Sequence, residues 1–179
     1  MTRLLTRGRV VAALGVALVA ALGLALAATP ASADFPDAQI HYDYVNRCLD
    51  VDAGTAGNVR TNVQLYDCRA YSDPLSGYQR FDWIPVSGFP GTYKVRNRQT
   101  QKCLTYNPYT LSPVWAESCD RAGQGWKRVP DHVNPSQFIA AESNNDLCLS
   151  TVDIQGGNRT GIATRICKDA FQSTRWNVI

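Results

Sequence analysis

Between Cys48 and Cys68, and shortly beyond, stand side chains able to hold a polyhydroxylated ring. Asp50 follows the first cysteine by two positions, Gln64 and Tyr66 precede the second, and Tyr78 and Gln79 lie further on. A carboxylate accepts from two vicinal hydroxyls in charge-assisted hydrogen bonds. A flat aromatic ring covers the C–H face of such a ligand at low side-chain entropy cost. A second amide, Gln64 or Gln79, completes the set. Each residue alone has a plainer use: Asp50 in a turn, Gln64 toward solvent, Tyr66 over a barrel rim. Their grouping is what suggests a site.

The frame around this set recurs. First cysteines stand at 48, 103 and 148, second cysteines at 68, 119 and 167, and a leucine follows each first cysteine (Leu49, Leu104, Leu149). A β-branched residue precedes each second cysteine by five (Val63, Val114, Ile162), and an aromatic follows a polar loop (Phe81, Trp126, Trp176). "YKVRN" from Tyr93 and "FIAAE" from Phe138 each begin ten residues before the first cysteine of their copies. The polar set does not recur. Asp50 aligns with Thr105 and Ser150, Gln64 with Trp115 and Ala163, and Tyr66 with Glu117 and Arg165.

Such periodicity indicates one supersecondary unit used three times. Short apolar or alternating stretches between Gly, Asn, Asp and Pro clusters read as β-strands. No window after Ala33 sustains helical apolar spacing, so about four short strands per unit and almost no α-helix are expected. One unit cannot bury its apolar face alone, whereas three around an axis close a barrel. The leucine, β-branched and aromatic triplets are then core layers.

The first 33 residues read as a secretion signal. Arg3, Arg7 and Arg9 precede the apolar run Val10–Ala28, and Ala31-Ser32-Ala33 offers small-residue cleavage. Residues 34–179 then form one domain, with units about 38–86, 87–134 and 135–179, free of the membrane once the signal is removed. With the three leader arginines set aside, 15 acidic residues face 15 basic ones. A net charge of zero without a basic run gives no reason to expect nucleic acid or anionic lipid as partners.

All six cysteines follow the leader, which suits an oxidising, extracellular compartment. They allow 15 pairings. Pairing within each copy would close loops of similar length, each worth roughly 3 kcal/mol. Zinc is disfavoured because no C-x-x-C occurs, and His41 and His132 alone could assist. No cofactor is implied.

These residues resemble the ricin B-chain-like (R-type) lectins, which are β-trefoils. That family pattern carries Cys-x-Asp, then Gln-x-aromatic-x-Cys, then Gln-x-Trp. "CLDV", "VQLYDC" and "YQRF" match it here, with Phe81 in place of Trp, and "QGW" keeps the last element in the second unit. The resemblance covers about 38–179. It implies an all-β trefoil fold, disulfides within each unit, and up to three shallow sugar sites. By resemblance Asp50 is the principal hydroxyl acceptor, Tyr66 the stacking ring, and Gln64 a lining residue. Gln79 either orients Asp50 or bonds the sugar. Tyr78 stands where the family commonly has a sugar-donating Asn, so it is a second stacking ring or an obstruction.

The expectation is a secreted, monomeric lectin that binds glycan through its first unit, either galactose-type or polysaccharide. Two other readings fit the residues less well. A trefoil without sugar binding would act through protein contacts, as an inhibitor or toxin-associated factor. A secreted glycoside hydrolase would need Asp50 with Asp52 or Asp67 at defined separation. No nucleophile, zinc-protease or phosphate-loop motif is present. Tyr106, Tyr109 and Trp115 form an aromatic loop, either a ligand platform or a mixture of core and rim residues. The latter is favoured.

Overall fold

The computed structural model describes residues 35–130, 136–140, 146–169 and 175–179. The leader 1–33, Asp131 and His132 lie outside them. Twelve strands occur among the described residues, and no α-helix. The first four are β1 (Phe35–Tyr42), β2 (Arg47–Val51), β3 (Thr61–Asp67) and β4 (Arg80–Pro85). β5 (Thr92–Asn97), β6 (Cys103–Thr105), β7 (Trp115–Glu117) and β8 (Trp126–Pro130) follow. The last four are β9 (Ser136–Ala140), β10 (Leu147–Thr151), β11 (Ile162–Ile166) and β12 (Trp176–Val178).

Antiparallel pairing runs β1–β4–β5–β8–β9–β12 and returns to β1, so six strands form a closed ring with no free edge. Closure removes the unpaired edge that an open sheet would expose to other chains. The remaining six strands make three hairpins, β2–β3, β6–β7 and β10–β11. The hairpins brace one another head to side. Thr61 pairs with Ala116, the Thr164 N–H donates to Ser112 O at 2.9 Å, and the Leu65 N–H donates to Thr160 O at 2.8 Å. Every hairpin thus leans its tip on the next.

The expected layers occupy the interior. Leu49, Leu104 and Leu149 are buried, as are Val63, Val114 and Ile162, and Phe81, Trp126 and Trp176. The two tryptophans also tie ring to hairpin, donating through Nε1 to Leu104 O (3.1 Å) and Leu149 O (3.0 Å). The Phe81 side chain has no N–H, so the first copy lacks this tie.

The cysteines pair within each copy: Cys48–Cys68, Cys103–Cys119 and Cys148–Cys167. Each bridge joins a hairpin's first strand to the residue that follows, or nearly follows, its second strand. The closed loops are short, and the unfolded chain loses freedom accordingly. The aromatic loop of the second copy divides. Tyr106 is buried against Trp126 at a centroid separation of 4.8 Å, Trp115 is buried, and Tyr109 is 70% exposed. They make core and rim, not one platform. His41 is half-buried instead of lying on the surface, with Nε2 3.0 Å from Gln39 Oε1 and Nδ1 3.7 Å from Cys68 Sγ. Cys68 is already in a disulfide, so this group of His41, Cys48 and Cys68 offers no free thiolate for a metal.

Candidate functional site

Strand register explains why residues two apart around each cysteine share a face. In β2 and β3, Cys48 lies opposite Tyr66 and Asp50 opposite Gln64. Side chains alternate across a strand. Asp50, Gln64 and Tyr66 therefore line a groove of about 230 Å³, together with Tyr78, Leu75, Arg69 and Arg159.

Asp50 lies at the floor and is 4% exposed. Its Oδ1 accepts from Gln64 Nε2 at 3.1 Å and its Oδ2 from Gln79 Nε2 at 3.2 Å. A carboxylate has about four acceptor positions, so the two amides leave capacity for further donors. Burial disfavours the charged form and raises its pKa above the ordinary value, although both amide bonds and the nearby Arg69 oppose this.

Gln79 is fully buried and its amide is saturated. Nε2 also donates to the Asp67 carbonyl (2.9 Å), while Oε1 accepts from Gln39 Nε2 (3.1 Å) and the Arg69 N–H (2.8 Å). Its amide therefore spends its donors and acceptor on protein partners, Asp50 among them. Its counterpart Gln124 holds Thr105 Oγ1 (3.0 Å) and Ser118 O (2.7 Å) where no carboxylate exists. The glutamine is therefore a framework residue that the site reuses.

Tyr78 ends up on the groove wall, on the short 3-10 turn Ser76–Gln79. Its carbonyl accepts from Asn97 Nδ2 at 2.9 Å, which anchors the turn to β5. Tyr66 presents one ring face to Arg69, whose guanidinium carbon lies 5.0 Å from the ring centroid, within cation–π range. Arg69 also pairs with Asp73 at 3.2 Å. Any ligand stacking on Tyr66 must use the other face.

Arg69 and Arg159 were not anticipated. Arg69 lies two residues beyond the end of β3, where strand alternation would turn it away from Tyr66, so the strand pattern gave no signal for it. Arg159 belongs to the third copy, more than 90 residues from Tyr66, and no local signal points to it. It arrives because the third hairpin docks here. Asn158 bonds the Asp67 N–H (2.8 Å) and Asp67 Oδ2 (2.7 Å), and the Arg159 N–H donates to Leu65 O at 2.8 Å. Asp52 lines the same groove, but its carboxylate caps a turn, accepting from the Gly54 N–H and the Thr55 hydroxyl, each at 3.1 Å.

No family model matches the chain, and no curated protein matches it in sequence. Solved structures do match. A designed 3-fold symmetric protein, ThreeFoil, superposes with a TM-score of 0.67 at 16% identity, over 79% of this chain and 96% of that one. The ricin B-like lectin of Macrolepiota procera, solved with lactose, gives 0.61 at 12% identity, over 79% and 92%. The fold is a β-trefoil. The agglutinin of Rhizoctonia solani has the same trefoil, with a TM-score of 0.66 at 13% identity over 81% of this chain and 95% of that one. At these identities the likeness concerns the trefoil itself. Among the described residues no helix is long and apolar enough to cross a membrane.

Proposed function

We propose that this β-trefoil binds carbohydrate noncovalently through the groove of its first copy. One observation carries the reading. Asp50 is held at the groove floor by two amide donors, beside the Tyr66 ring, although burying a carboxylate there is unfavourable. Thr105 and Ser150 serve the same register positions in the other copies without that penalty, so the trefoil has no need of the charge. A polyol supplies hydroxyl donors to Asp50, and the open face of Tyr66 receives its C–H surface. The lectins that share this trefoil support the reading.

Hydroxyl bonds to protein replace hydroxyl bonds to water and contribute about 1 kcal/mol each. One shallow site then gives a dissociation constant on the order of millimolar. The hydrolase reading has less support. Asp52 caps a turn, and Asp67 is tied to Asn158 and Arg47. We further propose export, which the three disulfides support, with cleavage after Ala33 and a monomeric product.

A glycan array probed with the purified chain and with Asp50→Asn tests the reading. Binding by the parent and loss of signal in a folded variant are expected. Equal binding by both would remove the site. Mass measurement of the exported protein should place its first residue at Asp34.

A further inference from the structure

The hairpin tip that leans on each neighbouring copy carries one residue at a corresponding position, and in the third hairpin that residue, Arg159, lines the first copy's groove. Arg60, Leu111 and Arg159 each stand three residues before the buried β-branched residues Val63, Val114 and Ile162. Backbone bonds bear out the correspondence for two of them. The Leu111 N–H donates to Thr164 O at 2.6 Å, just as the Arg159 N–H donates to Leu65 O, and both residues have positive φ (60° and 68°).

The two arginines differ in what they meet. Arg60 lies over the Trp115 ring, 4.4 Å from its centroid, and its Nε is 3.6 Å from Glu117 Oε2. Register places Trp115 where Gln64 stands in the first copy, and Glu117 where Tyr66 stands. The second copy thus supplies its own anion, Glu117, to the incoming guanidinium. In the first copy that anion is replaced by a tyrosine. Arg159 makes no ion pair among the described residues, although Asp50 and Asp52 line the same groove. Asp50 is engaged by Gln64 and Gln79, Asp52 by its turn, and Arg69 by Asp73.

We infer that the first copy's groove recognises a sugar bearing an anionic substituent, a carboxylate or a sulfate, with which Arg159 pairs as Arg60 pairs with Glu117. The inference rests on the sugar-binding reading and narrows it to acidic glycans. Asp50 and Arg159 would sort a ligand by its two ends, hydroxyls to the carboxylate and the anion to the guanidinium, whose fork suits two acceptor oxygens. With a chain net charge of zero after the leader, the preference is local and does not depend on long-range attraction.

The test uses the purified chain on an array of matched neutral, uronate-bearing and sulfated glycans, with Arg159→Gln, Arg60→Gln and Asp50→Asn beside it. Acidic members should bind at least about fivefold more tightly than their neutral counterparts. The uronate and sulfate arms identify which anion is preferred. Arg159→Gln should remove the preference, bringing acidic and neutral members to the same affinity. Arg60→Gln should leave binding of both kinds unchanged, and Asp50→Asn should abolish it. Circular dichroism checks folding; the Arg159 backbone bond is retained in its variant. Neutral and acidic glycans bound alike, or a preference that survives Arg159→Gln, would overturn this inference and leave the lectin reading standing. No glycan bound at all would overturn both.

Discussion

Replacing Gln79 with Ala should destabilise the trefoil substantially more than replacing Gln124. The two residues hold corresponding places, but Gln79 makes four side-chain hydrogen bonds, to Asp50, the Asp67 carbonyl, Gln39 and the Arg69 N–H. Gln124 makes two, to Thr105 and the Ser118 carbonyl, and its Oε1 is buried without a partner. At about 1 kcal/mol per bond, the expected costs are about 4 and about 2 kcal/mol. Each kcal/mol lowers Tm by about 2–4 °C in a domain of this size. Gln79→Ala should therefore melt on the order of 10 °C below the parent, and Gln124→Ala about half as far. Urea unfolding followed by tryptophan fluorescence, with thermal melts alongside, measures both. Equal losses, or a larger one at Gln124, would refute the view that Gln79 is a buried junction between ring, loop and site.

Two further outcomes follow from particular groups. Burial raises the pKa of Asp50 above its ordinary 3.8, so sugar affinity should fall on acidification before an exposed carboxylate would protonate. Stability should respond with the opposite sign. The folded state keeps this proton to higher pH than the unfolded state, so between the two pKa values acidification increases this residue's contribution to stability. Paired pH series of binding and of urea unfolding, for parent and Asp50→Asn, check this; undiminished parent binding below pH 3.8 would contradict it. At Gly123, φ is +72° and an added Cβ would meet the Tyr106 carbonyl oxygen at 2.2 Å, whereas Gly88, at φ +80°, has open space. Gly123→Ala should cost at least about 2 kcal/mol and Gly88→Ala about 1, since only the first adds a backbone clash to the left-handed strain. Chemical denaturation of both variants distinguishes them.

The conformity of all three copies to one frame has a simple cause. Covering the closed ring takes three hairpins of matching reach, so leucine, β-branched residue, aromatic and cysteines recur wherever a hairpin meets the ring. Asp50, Gln64 and Tyr66 were legible for a related reason, because alternation in two paired strands places them on one face. Local pairing leaves little room for another arrangement.

Other features answered to closure alone. The saturation of Gln79 depends on Gln39, 40 residues earlier in another strand, reaching the same amide. The Tyr106, Tyr109 and Trp115 cluster dispersed because ring packing drew Tyr106 against Trp126 and left Tyr109 outside. Arg159 reaches the first copy's groove because three hairpins lean in a circle and bring the last beside the first. Repetition and alternation are properties of neighbours along the chain and can be read there. Which charges meet across copies is a property of distances in space, which exist once the ring has closed.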